Sequence, residues 1–229
     1  MRNIIITGAS RGIGFELAKK FIQHGDFVLA IARSESKLKE LNQFSINNNY
    51  NYLAIDLENL DSISLINDKI KEWKQVDVLF NNAGLLIKKP FEELTAQDFQ
   101  RSLQVNFLAP VFIIQSLLSK LNENSHIINI GTMGAVQGSV KFPELSAYGT
   151  SKAALLTLTE LLAEELKERK ITINSVALGA VQTEMLESAF PNYKAPVSAQ
   201  EMANYLFDFA LHSKNIYNGK ILQASTSTP

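Results

Sequence analysis

Met1-Arg-Asn-Ile-Ile-Ile-Thr-Gly-Ala-Ser-Arg-Gly-Ile-Gly14 is the stretch that decides the fold. A short β-branched run breaks at once into glycines. Apolar residues then return with helical spacing at Phe15, Leu17, Ala18, Phe21 and Ile22. The first part reads as a strand and the last as an amphipathic helix. Between them, Gly8, Gly12 and Gly14 permit φ > 0 and close approach to the main chain. A helix N-terminus presents unpaired N–H groups and partial positive charge. Strand, glycine turn and helix in this order make a cradle for a diphosphate, so the start of the chain reads as a dinucleotide site. The spacing is G-x-x-x-G-x-G and not the G-x-G-x-x-G of the common dehydrogenase fingerprint. An ordinary βα turn would show the same residues, and the rest of the chain has to decide.

Working outward, short apolar runs alternate with longer helical patterns to the end. Strands are predicted at 3–7, 27–32, 52–55, 76–80, 126–130, 171–176 and 220–223. Most are continuous Ile/Val/Leu runs, as in strands covered on both faces. Helices are predicted at 14–24, 35–41, 61–73, 97–121, 147–169 and 199–211. Two carry capping-box starts, Thr95-Ala-Gln-Asp98 and Ser198-Ala-Gln-Glu201. This βαβ repetition implies an α/β fold with a doubly wound parallel sheet, right-handed crossovers and helices on both faces. Residues 1–229 read as a single domain, with no linker or repeat. The polar, Asn-rich stretch 42–51 reads as a surface loop, and 187–197, with Pro191 and Pro196, is the least regular segment.

Composition narrows the function. The chain has 229 residues, 46% of them hydrophobic, and a formal net charge of −1. That length buries a large core in one domain. Mixed, balanced charge argues against a nucleic-acid or membrane-surface partner. There is no cysteine, hence no disulfide framework or thiolate chemistry. The three histidines, His24, His126 and His212, are scattered, and no His/Asp/Glu cluster has metal-ligand spacing, so no metal is expected. No signal-peptide pattern precedes the first strand and no apolar run reaches about 18 residues without polar interruption. A cytoplasmic protein is the expectation.

Ligands of such sheets bind outside the carboxyl ends of the strands. After the second strand comes Ala32-Arg33-Ser34. An NAD site places an acid there for the ribose 2′-hydroxyl, whereas an arginine suits a 2′-phosphate. Arg11 lies within reach of the same phosphate. Two basic residues and no acid favour NADP. Asp56-Leu57 follow the third strand and Asn81-Asn82-Ala83-Gly84 the fourth, though polar residues at strand ends are also common turn formers. Tyr148-Gly-Thr-Ser-Lys152 opens a long helix, and i, i+4 spacing puts both side chains on one face. A phenol with a pKa near 10 is a poor acid–base catalyst at neutral pH. A nearby ammonium favours the phenolate, lowering that pKa toward the range of efficient proton transfer.

Taken together, Thr7-Gly-Ala-Ser-Arg-Gly-Ile-Gly14, Asn81-Asn-Ala-Gly84, Asn106 and Tyr148-x-x-x-Lys152 resemble the classical short-chain dehydrogenase/reductase family, in that order and over essentially the whole chain. The resemblance implies a Rossmann-type sheet of about seven parallel strands. It implies that Tyr148 exchanges a proton with the substrate oxygen. Lys152 would hold the nicotinamide ribose and lower the tyrosine pKa, and Asn106 would hold a water in a proton relay. Gly8, Ser10, Arg11, Gly12, Ile13 and Gly14 would bind the diphosphate end of NADP. Arg33, Asp56 and Leu57 would serve its adenosine end, and Asn82, Ala83, Gly84 and Thr183 would shape the pocket toward the nicotinamide. The hydride chemistry belongs to the cofactor.

Three departures stand out. Thr132, in Ile127-Ile-Asn-Ile-Gly-Thr132, stands where the family normally has serine. It keeps a hydroxyl; Ser139, in the following loop, is the other candidate. Leu178-Gly179 replaces the usual Pro-Gly. The tail from Tyr217 to Pro229 lacks the usual Asp-Gly-Gly, which bears on assembly through the tail. The expected activity is NADPH-dependent reduction of a ketone, aldehyde or 3-oxoacyl carbonyl, with Asn106, Thr132, Tyr148 and Lys152 as the catalytic set. A non-catalytic NADP-binding sensor is the competing reading. The expected substrate wall is Leu85, Leu86, Met133, Val136, Val181, Met185, Leu186 and Phe190. Helices 97–121 and 147–169 carry apolar residues nearly all round. An outer apolar face needs a partner, so a homodimer or homotetramer is expected.

Overall fold

The computed structural model describes residues 1–226. Seven strands form the central sheet: β1 (Asn3–Thr7), β2 (Phe27–Ala32), β3 (Tyr50–Ala54), β4 (Val78–Asn81), β5 (His126–Thr132), β6 (Thr172–Leu178) and, last along the chain, β9 (Ile221–Ala224). Their order is β3-β2-β1-β4-β5-β6-β9, and every pairing is parallel. The order runs outward from β1 one way and from β4 the other. The switch point between them opens the crevice where such sheets take their ligands.

Alternation of side chains along β1 explains the two covered faces. Ile4 and Ile6 enter one buried cluster, with Leu17 and Phe21 of α1 (Gly12–Gln23), Leu38 of α2 (Glu35–Glu40) and Leu206 of α8 (Ala199–His212). Ile5 enters the other, with Ile66 of α3 (Ser64–Lys69) and Ile113 and Leu117 of α5 (Ala109–Leu117). Each such isoleucine contributes about 1.5–3 kcal/mol by leaving water. Both expected capping boxes form: Thr95 and Asp98 open α4 (Ala96–Leu103), and Ser198 and Glu201 open α8.

The structure corrects several sequence readings. The 97–121 helix is interrupted by a π-turn at Gln104–Leu108, between α4 and α5. The 61–73 helix is a 3-10 turn, Leu60–Ile63, followed by the short α3. Val76 is buried, but its N–H bonds the Lys120 carbonyl, so the β4 ladder starts two residues later than expected. The expected loop 42–51 is shorter, since Leu41–Phe44 forms a 3-10 turn and β3 already begins at Tyr50, and what remains is tied down. Asn47 and Asn48 take left-handed φ of 55° and 59°, and the buried Asn49 amide donates to the Ile22 and Asp26 carbonyls at 2.8 and 2.9 Å. Three short elements had no sequence signal: β7 (Val181–Gln182), α7 (Glu184–Ala189) and β8 (Val197–Ser198), β7 and β8 pairing as a separate two-stranded sheet.

The helical stretch Ala96–Lys120 has a mean hydropathy of 1.4 over its best window, enough by length and composition to cross a membrane, although Gln104, Asn106, Gln115 and Ser116 interrupt its apolar run. In the fold it lies on the sheet, with Ala109, Ile113, Ile114 and Leu117 buried. Of the tail, residues 227–229 lie outside the described residues, so their part in assembly is not described.

Candidate active site

β1 ends at Thr7, whose hydroxyl donates to the Phe80 carbonyl and accepts the N–H groups of Asn82 and Ala83, each at 3.0 Å. Asn82 returns its amide to the Thr7 carbonyl at 2.9 Å. The glycine turn and the Asn81–Gly84 segment are thus one welded unit at the switch point. Gly8 has φ of 69°, and a Cβ on Gly14 would lie 2.3 Å from the Gly8 carbonyl oxygen. No side chain fits either place. α1 begins at Gly12 with no side chain capping it, and its N-terminus faces the cleft.

The cleft has a volume of 1380 Å³. It gathers Gly8, Ser10, Arg11, Gly12, Ile13, Gly14, Arg33, Asp56, Leu57, Asn82, Ala83, Gly84, Thr132, Tyr148, Lys152 and Thr183 along one surface. Asn106 is the sequence-predicted residue that stays behind the wall, fully buried in the π-turn. π-turns inside helices recur at functional sites. Here the turn aims the Asn106 carboxamide at two elements. It accepts from the Leu85 N–H at 2.8 Å and donates to the Leu85 carbonyl and to Ser151 Oγ, both at 2.9 Å. Ser151 Oγ in turn donates to the Tyr148 carbonyl at 2.8 Å. Sequence reasoning missed Ser151, although it lies between Tyr148 and Lys152.

Tyr148 and Lys152 both lie in the first two turns of α6 (Ser146–Glu165). The Lys152 ammonium is buried and donates to the Ile130 carbonyl at 2.7 Å. Gly84 backs onto it, its would-be Cβ 3.6 Å from Nζ. Burial pulls the ammonium pKa down to about 8. The Tyr148 phenol is pushed up to about 12 by burial, while a hydrogen bond with Thr132 works the other way. The sequence expectation was a lowered tyrosine pKa. In the polypeptide by itself, desolvation dominates, opposed by the Thr132 hydrogen bond.

Thr132 ends β5 and brings its hydroxyl to Tyr148. Ser139 does not line the cleft. Its hydroxyl donates to the Met133 and Val136 carbonyls at 2.5 and 2.9 Å. Thr183 lines the cleft, yet its hydroxyl also caps α7, accepting from the Leu186 N–H at 3.3 Å.

At the other end, Arg33 approaches Asp56 at 3.9 Å, both well exposed, and Ser34 and Lys37 continue the same wall. The substrate half is lined by Leu85, Leu86, Met133, Val181, Met185, Leu186 and Phe190, as expected, and by Val105, Val140, Phe142, Leu145 and Tyr193. Val136, expected in this wall, is not part of it. Among the described residues no cluster of histidine and carboxylates suits a metal.

Comparison with known proteins agrees with this geometry. The short chain dehydrogenase family model matches residues 2–194. A fatty acyl-CoA reductase of Acinetobacter baylyi is 32% identical over 211 residues, covering 88% of this chain and 70% of the relative. A 3-oxoacyl-(acyl-carrier-protein) reductase of Aquifex aeolicus is 29% identical over 238 residues, covering 96% and 94%. Among solved structures, ElxO with NADP bound superposes with a TM-score of 0.86 at 26% identity, covering 98% of this chain and 97% of that one.

Proposed function

The chain belongs to the short-chain dehydrogenase/reductase family of oxidoreductases, and from that premise we propose that it reduces a ketone, aldehyde or 3-oxoacyl carbonyl to an alcohol with NADPH. The observation that carries the reading is the single cleft that runs from the uncapped start of α1 to Tyr148, Thr132 and Lys152. A dinucleotide fits it chemically. The glycine turn leaves room at main-chain N–H groups, and Arg11, Arg33, Ser34 and Lys37 supply donors at the adenosine end. NADP over NAD rests on Arg33 and on Ala32 in place of an acid after β2; that ElxO binds NADP supports the same choice.

When bound, the nicotinamide supplies the hydride to the carbonyl carbon. This chain's residues handle the oxygen. Tyr148 gives its proton to the oxygen as the C=O bond becomes C–O, and Thr132 donates a hydrogen bond to the same atom. Lys152, already held beside the strand ends, binds the nicotinamide ribose and stabilises the phenolate left on Tyr148. Both amide protons of Asn106 are spent on Leu85 and Ser151. Asn106 holds the relay water of the proton path. Asp56 and Leu57 serve the adenine, and Thr183 the nicotinamide amide.

The protein works as a homodimer or homotetramer in the cytoplasm on a small apolar substrate, without nucleic acid or membrane partners. Leu103, Phe112 and Leu161 stand 37%, 40% and 56% exposed on α4, α5 and α6, which supports pairing through these helices. The deciding experiment follows loss of NADPH absorbance with a panel of aldehydes, ketones and 3-oxoacyl thioesters. Consumption with one class and none with NADH supports the reading. Tight NADPH binding with no turnover of any carbonyl would favour the sensor instead.

A further inference from the structure

One cluster outside the catalytic set joins three separate loops at the mouth of the substrate half. The Lys88 ammonium lies 3.2 Å from the Glu144 carboxylate and 4.6 Å from the centre of the Phe190 ring. Lys88 comes from the segment after β4, Glu144 from the loop before α6, and Phe190 from the end of α7. Phe190 lines the cleft; Lys88 and Glu144 do not. The cation therefore sits behind the wall it touches.

Both ends of this contact are anchored. The next residue, Lys89, donates its N–H to the Glu144 carbonyl at 3.0 Å. Its own ammonium grips both Asp98 oxygens, at 3.0 and 2.9 Å, where Asp98 closes the capping box of α4. Glu144 has φ of 67°, the left-handed region a non-glycine residue enters only when its surroundings hold it there. Two bonds from the Lys88-Lys89 pair do that holding. The segment carrying Phe190 is held at its two ends, by Thr183 capping the six-residue α7 and by the Ala195 N–H bonding the Gln182 side chain at 2.9 Å. Across the middle, the Phe190 ring meets Lys88.

We propose that Lys88 is a specificity-determining positioning residue, a strap that holds the Phe190 ring across the substrate half of the cleft while Glu144 holds Lys88. The proposal rests on the reductase reading for what enters the cleft, but the strap is a property of the chain itself. Lys88 is exposed at the surface, and its place between a carboxylate and an aromatic face combines ion-pair and cation–π attraction. With the ring held, the pocket presents a fixed apolar wall to a compact carbonyl. With the strap cut, the segment after α7 swings and that wall is lost, while Tyr148, Thr132 and the cofactor end stay in place.

The test uses Lys88→Met, which keeps an unbranched side chain one atom shorter and removes its charge, with Lys88→Arg as the conservative rescue and Glu144→Gln for the other end. Hydrogen–deuterium exchange of the whole protein reads the strap without any substrate. Lys88→Met should raise exchange across residues 184–196 and leave β1, α1 and β5 unchanged, and Lys88→Arg should restore protection. With NADPH and 4-nitrobenzaldehyde, Lys88→Met should raise KM about three- to tenfold, the range cation–π and ion-pair losses allow. Its kcat should stay within about twofold, and Glu144→Gln should shift the same way by less. Unchanged exchange at 184–196 in Lys88→Met would overturn the strap, as would a fall in kcat with KM unchanged. If the wild type reduces no carbonyl, the reductase reading fails and the exchange experiment still decides the strap.

Discussion

The Lys152 ammonium donates to the Ile130 carbonyl at 2.7 Å, which together with the Asn129 amide on Thr159 Oγ1 at 2.9 Å ties α6 to the strand that carries Thr132. The group is almost without solvent, so it depends on that carbonyl and on whatever enters the cleft beside it. Lysine in this position is therefore a structural pin, and on the proposed function it would also be a charge held ready for the ribose and the phenolate.

Separate outcomes follow for the two residues. Tyr148→Phe deletes the proton donor and its hydrogen bond with Thr132, so turnover should vanish while NADPH binding stays near normal. Lys152→Ala removes the pin, the ribose contact and the charge, so both should suffer. Fluorescence titration with NADPH alongside steady-state rates distinguishes the two. A Tyr148→Phe variant with near-wild-type kcat would remove the phenol from the mechanism.

Thr132 should do the work of the family's serine. Its hydroxyl already meets Tyr148, whereas Ser139 spends its hydroxyl on two carbonyls of its own loop. Thr132→Ser should keep activity within about tenfold because the donor survives. Thr132→Ala should lose about 10²-fold, the scale of a missing oxyanion donor, and Ser139→Ala should change little. An alanine as active as threonine at position 132 would show that the hydroxyl is not used.

Arg33 should set the cofactor preference. Its present partner, Asp56, is 3.9 Å away and both are exposed, a pairing worth little that leaves the guanidinium available to a phosphate. A charge-assisted phosphate contact is worth about 1.5–3 kcal/mol, so Arg33→Asp should raise the NADPH dissociation constant about tenfold or more and narrow the gap to NADH. Equal binding of both cofactors by the wild type would defeat the assignment.

These residues were legible because their signals are local. The limits of β1 and β2, both capping boxes and the Tyr148–Lys152 spacing follow from patterns within a few residues. The π-turn was not legible. Gln104-Val-Asn-Phe-Leu108 reads as ordinary helix, and the turn there goes with bonds from Asn106 to Leu85 and Ser151, 21 and 45 residues away. The direction of the Tyr148 pKa in the polypeptide by itself was not legible for a related reason: spacing along a helix does not reveal the burial that raises it. Two-residue strands such as β7 and β8 have no periodicity to read.

The apolar outer faces of α4, α5 and α6 should hold a dimer together. Leu103, Phe112 and Leu161 remain exposed after the chain has folded, so burying them requires another surface. A two-fold axis would let each patch meet its own copy, and an obligate contact of this kind buries about 2,000 Å² or more. Light scattering at micromolar protein should return twice the chain mass or a higher multiple, and Phe112→Glu with Leu161→Glu should lower it. A wild-type mass of 25.5 kDa would refute the dimer.

His126 should make the fold sensitive to mild acid, far from the catalytic chemistry. It is buried at the start of β5, and its Nε2 faces the Asn174 amide nitrogen at 3.1 Å. That amide is oriented by two further bonds, from Nδ2 to the Tyr217 carbonyl and from the Lys220 N–H to Oδ1. The amide donates to Nε2, so the ring is neutral there and carries its proton on Nδ1, toward the Ala210 carbonyl at 3.4 Å. Protonating Nε2 would set one N–H against another without solvent to relieve it. Burial accordingly pulls the imidazole down to about 4 from an ordinary 6.5. The sign follows: below pH 6.5 the unfolded chain takes the proton first, so this contribution to stability is complete above that pH and is lost progressively as pH falls toward 4. At pH 5 the loss is about 2 kcal/mol. Urea unfolding at pH 7 and pH 5 should show that drop in the wild type and a smaller one in His126→Phe, each compared with its own value at pH 7. The same drop in both proteins would place the acid sensitivity elsewhere.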